Sequence, residues 1–304
     1  MQRMDVTILT DHRYVSPGKS DPYIRNILVE DELVASALER KGLKVWRTSW
    51  DDPWMDWSTT DHALFRSTWD YFDRFEEFDP WLDRVSRQTT LVNPYRVIRW
   101  NLDKHYLGDL ARQGINIPPT LYIEPGWQRS LDEIFRETGW REAILKPVVS
   151  GAARHTYRIV PANAPRYETL YRQLIGREAL MLQEFQHHVI SRGEVAFMLF
   201  GGKFSHAILK RARKGDFRVQ EDFGGTVHPY DPTPGEITFA EDAVAACVEV
   251  PVYARVDVIL DNSGRPSLSE LELIEPELWF RYRPAAADLL ADAFTRMMVS
   301  GPSG

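Results

Sequence analysis

The run Arg255-Val256-Asp257-Val258-Ile259-Leu260, the turn Asp261-Asn262-Ser263-Gly264 and the return Leu268-Ser269-Glu270-Leu271-Glu272-Leu273-Ile274 read as one β-hairpin. Side chains alternate along a strand, so Arg255 and Asp257 share one face while Val256, Val258 and Leu260 take the other. On the return strand Glu270 and Glu272 share a face, opposite to that of Leu271 and Leu273. Folding about Ser263-Gly264 brings Asp257 near Glu270 and Arg255 near Glu272. Carboxylates that close repel unless a cation lies between them, and one or two carboxylates together with substrate phosphates are the usual protein hold on Mg²⁺. A solvated polar face with a single ion pair is the competing reading, and the hairpin alone leaves both open.

Working back from this hairpin, Gly193 to Phe200 and Phe204 to Lys210 form another, turned at Gly201-Gly202-Lys203. Glu241 to Val250 reads as helical, and so does Pro284 to Met298, with proline in its first turn. Before these lie strand-like runs at Ala143 to Val149, Thr156 to Val160 and Ala179 to Phe185, with helices at Leu131 to Glu137 and Tyr167 to Ile175. Asn101 to Gly114 reads as a single helix, and Ile115 to Thr120, with Pro118-Pro119, as extended chain. The first hundred residues alternate: strand Val6 to Leu9, helix Ile24 to Lys41, strands Lys44 to Trp50 and Ala63 to Ser67. The whole is an α/β chain, parallel in its first part and antiparallel later.

Ligands of open α/β sheets lie beyond the carboxyl ends of the strands. The cluster Arg66-Ser67-Thr68-Trp69-Asp70-Tyr71 stands at such an end, as a site or as a tryptophan-rich structural loop. No G-x-G-x-x-G or G-x-x-x-x-G-K-[ST] is present, which removes the support for a dinucleotide fold or a P-loop. Lys146 enters the small-residue loop Val148-Val149-Ser150-Gly151-Ala152-Ala153-Arg154, whose backbone N–H groups can approach a phosphate without side-chain obstruction. Lys104, Lys210-Arg211 and Arg218 are further cations. Each alone reads as surface; jointly with the carboxylates they read as a phosphate site.

The 304 residues suit two domains or one large one, and 37 basic against 44 acidic residues give a net charge of −7. That argues against nucleic-acid binding through a global basic field. One cysteine, Cys247, excludes an intramolecular disulfide framework and a Cys-based zinc site, and fits a reducing cytoplasm. No segment approaches the roughly 18 apolar residues of a membrane span, so neither nucleic acid nor membrane is an expected partner. The ten tryptophans read as core or interdomain packing rather than a sugar-binding surface. His187-His188 lack partners at metal-ligand spacing. Glu275 and Arg281 flank a turn where they could reach substrate or pair with each other.

The order Lys104, Leu145-Lys146-Pro147 with its small-residue loop, Leu182-Gln183-Glu184-Phe185, Arg255-Val256-Asp257 and Glu270-Leu271-Glu272 resembles the ATP-grasp superfamily, in its prokaryotic glutathione synthetase branch. Phe65 to Tyr71, Leu209-Lys210-Arg211, Gly215 to Gln220 and Glu270 to Pro276 are similar to the O-ureido-serine cyclo-ligase of D-cycloserine biosynthesis. The resemblance implies an N-terminal Rossmann-like α/β domain (1–98) and two α+β subdomains, a lid (99–180) and a floor (181–304), enclosing ATP. It implies ATP contacts from Lys104, Lys146, Ser150, Gly151, Ala152, Arg154, Gln183, Glu184, Phe185, His188 and Glu194. Gln183 to Phe185 would form the adenine hinge, read partly by backbone groups. Asp257, Glu270 and Glu272 would hold Mg²⁺. Arg255, Lys210 and Arg218 would neutralise the γ-phosphate and transition state, and Arg66, Ser67, Asp70, Tyr71, Arg211 and Glu275 would face the substrate.

Two departures stand out: the loop has a single glycine, and Glu272 stands where glutathione synthetase carries asparagine. The implied activity is ATP-dependent ligation, with a small amino-acid-like carboxylate activated as an acylphosphate and closed on a nitrogen of the same molecule. Joining of two molecules is the alternative, and a nucleotide-binding regulator without turnover is a third. Members of the branch are commonly homodimers or homotetramers.

Overall fold

In the computed structural model, which describes residues 3–18, 21–151, 154–219 and 223–300, the chain forms three sheets. The first is parallel, in the order β2 (Val45–Ser49), β1 (Met4–Thr10), β3 (Thr60–Ser67), β4 (Thr90–Val92). Helix α1 (Pro22–Arg40) begins at Asp21, whose carboxylate accepts the Ile24 N–H, with proline in the first turn. Helix α2 (Phe75–Val85) buries Phe78, Trp81, Leu82 and Val85 against Trp50, Trp57 and Phe65. The sequence reading passed over α2 because Pro80 lies inside it, and over β4 because three residues carry too little periodicity.

The helix expected over 101–114 is interrupted at its start: α3 (Tyr95–Asn101) ends where it should begin, and only α4 (Tyr106–Arg112) lies within it. Asp103 breaks it by accepting the His105 N–H at 2.9 Å, while the Lys104 N–H donates to the Val148 carbonyl at 3.0 Å. The break holds Lys104 at the mouth of the loop that follows Val148.

The second sheet runs β5 (Thr120–Ile123), β8 (Leu180–Glu184), β6 (Ala143–Pro147), β7 (Tyr157–Ile159), all antiparallel. Helices α5 (Leu131–Thr138) and α6 (Ala164–Ile175) pack on one face of it, α5 starting at a Ser130–Glu133 capping box. A division at 180/181 runs through the start of β8, whose partners β5 and β6 both belong to this sheet. Past β8, the short helix α7 (His188–Arg192) leads into the third sheet.

That sheet runs β11 (Thr226–Tyr230), β10 (Lys203–Arg211), β9 (Glu194–Phe200), β12 (Tyr253–Leu260), β13 (Pro266–Glu272), again antiparallel. The helix expected at 241–250 lies earlier, as α8 (Pro234–Ala245), because Thr233 and Glu236 form a capping box with proline at the first turn. Helix α9 (Ala286–Ser300) packs beside α1 and joins the first and third sheets in one core with Ile8, Met198, Tyr253, Phe280 and Phe294.

The outer edge of β13 would present bare backbone groups. Asn101 and Tyr106 cover it: the Asn101 amide donates to the Leu271 carbonyl and accepts the Leu273 N–H, and the Tyr106 hydroxyl accepts the Leu271 N–H at 2.9 Å. Asn93 extends this brace, donating to the Tyr253 and Leu273 carbonyls at 2.8 Å each. Side chains from the α3–α4 region thus fix the strand that carries Glu270 and Glu272. Among the described residues no helix is long and apolar enough to cross a membrane.

Candidate active site

Strands β12 and β13 pair Asp257 with Glu270 and Arg255 with Glu272, the register expected from alternation. The register shifts beyond Asp257, where Ser269 Oγ lies 2.9 Å from the Asp257 carbonyl oxygen and 2.7 Å from the Glu194 carboxylate. The polar face is only partly withdrawn from water: Arg255 is 9% exposed, Asp257 1% and Lys210 5%, while Glu270 and Glu272 are half-buried at its open side. Val256, Val258, Leu268 and Leu271 fill the opposite face in an apolar core.

Carboxylate oxygens of Asp257, Glu270 and Glu272 lie within 4.8 Å of one another. Cations surround them. Lys210 Nζ is 3.0 Å from Asp257 and 2.6 Å from Glu194. Arg255 bridges Asp257, at 2.8 Å, and Glu272. Lys104 Nζ is 3.3 Å from Glu270 and donates to the Ser150 carbonyl. Hard oxygen donors grouped this closely are the donor set that Mg²⁺ takes, so the chemistry of the face fits such an ion.

Glu270 and Glu272 are driven in opposite directions. Burial raises Glu270, but Lys104, then Lys146 and Arg255, outweigh it and bring the group to about 2. Burial pushes Glu272 up to about 8, because Arg255 alone opposes it while Glu270, Asp257 and Glu275 add repulsion. Burial draws Lys146 below the usual lysine value despite Glu270. Lys210 moves the other way, since Asp257 and Glu194 outweigh its burial.

The face opens into a cavity of about 320 Å³ between the second and third sheets. Lys104, Lys146, Ser150, Gly151, Gln183, Glu184, Phe185, Glu194, Lys210, Arg218, Arg255, Asp257, Glu270, Glu272 and Glu275 all line it. Gly151 is needed at its place: a Cβ there would lie 2.5 Å from the Phe72 ring. At 184–185 the backbone N–H groups are already taken, Glu184 by the Pro119 carbonyl and Phe185 by that of Glu142. The expected backbone reading at these two residues is therefore blocked on the donor side. What they offer instead is the Phe185 ring, set edge-on to Phe217 at 6.0 Å. Arg218 holds Asp216 at 2.8 Å and covers the Phe223 ring at 3.8 Å.

Several expected residues stand elsewhere. Arg66, 4% exposed, is held by Glu30, Asp31 and the Pro276 carbonyl, in a buried charge cluster between α1 and the chain after β13. Ser67 Oγ bonds Thr10 Oγ1 at 2.7 Å. Asp70 accepts from Trp50 Nε1 and pairs with Arg74. Asp11, His12 and Asp70 also group closely, but Asp11 is already engaged by Arg13. Arg154 is turned to Glu178 and the Val149 carbonyl. His188 Nδ1 bonds the Asp261 carbonyl oxygen at 2.7 Å, bracing the hairpin turn. Arg211 is exposed at the end of β10. Tyr71 lies in a small hollow beside the main cavity, against Glu275. Ala152 lies outside the described residues. Glu275 and Arg281 do not pair: Arg281 binds Glu30 and Glu277.

Of the aromatic walls of the cavity only Trp69 belongs to a cluster the sequence marks as a candidate site. Phe72, Phe217, Tyr23 and Trp279 also line it, from loops and one helix start where no periodicity marks a face. Trp69 Nε1 donates to the Glu275 carbonyl at 2.8 Å, tying the carboxyl end of β3 to the segment after β13.

Burial raises Glu275 to about 7, against the Tyr71 hydrogen bond and Lys104. An unfolded glutamate ionises near 4.3, so between that pH and about 7 the folded chain holds a proton the unfolded chain has lost. Stability at this residue is therefore full at low pH and declines as pH rises toward 7. Glu275→Gln, which cannot ionise, is expected to gain on the wild type by about 2–3 kcal/mol between pH 5 and pH 8. Paired denaturant titrations at the two pH values check this, and a constant difference would contradict it.

Comparison with known proteins bears on the whole chain. A family model described as the N-terminal domain of D-cycloserine synthetase DcsG matches residues 6–93. The cycloserine biosynthesis protein DcsG of Streptomyces lavendulae is 31% identical over 267 residues, covering 82% of this chain and 87% of that protein. The crystal structure of D-cycloserine synthetase DcsG superposes with a TM-score of 0.83 at 28% identity, covering 96% of this chain and 98% of that one. The D-alanine–D-alanine ligase of Bacillus anthracis complexed with ATP shares the fold, with a TM-score of 0.65 at 16% identity over 98% of each chain.

Proposed function

The chain belongs to the D-cycloserine synthetase DcsG family and is an ATP-grasp ligase; on that premise we propose that it closes a small amino-acid-like substrate into a ring by ATP-dependent amide-bond formation. One observation carries the reading: three carboxyl groups within 4.8 Å on a strand face that lines the cavity, Asp257 buried and the two glutamates half-buried, ringed by Lys104, Lys210 and Arg255. Such a face has no use as solvated surface. It suits a polyphosphate with its divalent cation.

In this reading Asp257, Glu270 and Glu272 hold Mg²⁺, which when bound draws charge from the triphosphate. Lys104 and Lys146 attract the phosphates from the lid side. Lys210, Arg255 and Arg218 neutralise charge on the γ-phosphoryl group as it transfers. The purine lies against Phe185, Phe217 and Ile144. The parallel sheet, through Trp69, Tyr23 and Phe72, closes the substrate end. A substrate carboxylate oxygen attacks the γ-phosphorus as the bond to the bridging oxygen of ADP breaks. A nitrogen of the same molecule then attacks the acyl carbon, phosphate departs, and the nitrogen loses a proton. Such transfers need positioning and charge neutralisation rather than a covalent protein group. That agrees with Cys247, whose thiol burial pushes up to about 12.

Incubation with MgATP and O-ureido-D-serine as sole substrate is expected to release ADP in step with ring formation, followed by mass spectrometry. ADP release that requires two different amino compounds would point to joining instead. MgATP binding without ADP release from any single or paired amino compound would leave a nucleotide-binding regulator.

A further inference from the structure

Trp279 lies between β13 and α9, on the wall of the cavity beside Arg255 and Lys210. Two features of it are unfavourable. Its φ is +47°, a left-handed conformation that a bulky non-glycine residue seldom adopts. Its side chain is 2% exposed, yet its indole N–H has no hydrogen-bond acceptor among the described residues. Strained and unsatisfied groups persist where the surroundings over-determine them, and they gather at functional sites.

The ring has an evident use. The Arg255 guanidinium lies 5.3 Å from its centroid and Lys210 Nζ lies 5.8 Å from it. Both cations already share Asp257. A further carboxylate would hold them more firmly but cancel charge they need for an incoming phosphate. An aromatic face attracts cations without neutralising them, and tryptophan has the strongest such face of the side chains.

We propose that Trp279 is a positioning residue: its indole face seats Arg255 and Lys210 side by side so that both point their charge at the transferred phosphoryl group. This rests on the placement of those two cations at the γ-phosphate given above. Trp279 acts through them and needs no contact with the nucleotide.

The test is discrimination between AMPPNP and ADP, each with Mg²⁺, by titration calorimetry on the full chain. Wild type is expected to bind AMPPNP more tightly. Trp279→Leu is expected to lower that preference about tenfold while leaving ADP affinity within about twofold. Trp279→Phe is expected to keep at least half of the preference, because it retains an aromatic face while removing the unsatisfied N–H. Fluorinated tryptophans introduced at 279 keep the shape and weaken the face, so the preference should fall stepwise with fluorination; this series decides the matter even where Trp279→Leu does not fold.

An unchanged preference in Trp279→Leu or across the fluorinated series would overturn the inference alone. Loss in Trp279→Phe as complete as in Trp279→Leu would also overturn it, since the N–H rather than the face would then be at work. Wild-type protein that binds neither nucleotide would remove the ligase reading itself. Equal wild-type binding of both would remove the cations from the γ-phosphate, and the inference with them.

Discussion

Replacing Glu270 by glutamine is expected to reduce ATP-dependent turnover on the order of 10³-fold while lowering ligand-free stability only modestly. Glu270 is the carboxylate on which Lys104, Lys146 and Arg255 all act, and together they hold it charged far below neutral pH. It therefore offers a divalent cation an ionised oxygen at neutral pH, where burial draws Glu272 toward its neutral form. Its removal relieves repulsion from Asp257, which lies within 4.8 Å, but loses the larger attraction to Lys104, Lys146 and Arg255 that holds the carboxyl charged. The melting temperature without ligand should therefore fall modestly. The rise on adding MgATP, which follows mass action, should vanish. Thermal melts with and without MgATP, beside ADP release, check both halves. A full MgATP-dependent rise in the variant would mean that Glu270 does not hold the metal.

Asp257→Ala is expected to lose more stability before any ligand is added. Asp257 is 1% exposed and engages Lys210 and Arg255 together. Removing one partner of a buried ionic group leaves the others short of countercharge and away from water, at a cost of about 3–5 kcal/mol. Glu194 still holds Lys210, and Glu272 still holds Arg255, so the low end, about 3 kcal/mol, is expected. In a chain of this size that lowers the melting temperature by roughly 6–12 °C. Turnover should also be lost, and MgATP should not restore the melt. A ligand-free melt equal to that of wild type would show that the two cations find other partners. The contrast between the variants separates a residue that serves mainly the ligand from one that also holds its neighbours in place.

The elements with a clear period were legible in the sequence, and so was the hairpin that carries the site. Strand alternation places Asp257, Glu270, Arg255 and Glu272 on one face whatever surrounds them, and a tight turn leaves little freedom of register. Helix α1 was legible for the same reason. The two misread helices failed at their ends. Asp103 and the Thr233 cap act through hydrogen bonds to nearby backbone, which outweigh the apolar pattern.

For the site, the deciding quantity was separation along the chain. Arg66 stands in a motif shared with the resembled family, yet its partners are Glu30, Asp31 and the Pro276 carbonyl, the last of them 210 residues away. Arg154 and Glu178, His188 and Asp261, and Trp69 and Glu275 are likewise pairs that no local pattern announces. Trp279 had no sequence signal, since its importance lies in a backbone angle and in two cations brought to it by other strands.

By itself, the sequence determined which side chains share a strand face, that this face is acidic with one arginine, and that the chain alternates strand and helix before turning antiparallel. These follow from the two-residue repeat of strands and the 3.6-residue repeat of helices, which act within a few residues. Only the tertiary structure decided that Asp257 and Arg255 are buried while Glu270 and Glu272 stand half-buried at a cavity, which cations reach them, and which of the expected residues serve instead as braces. Burial and ion pairing depend on where distant elements pack, and that is set by the joint fit of three sheets.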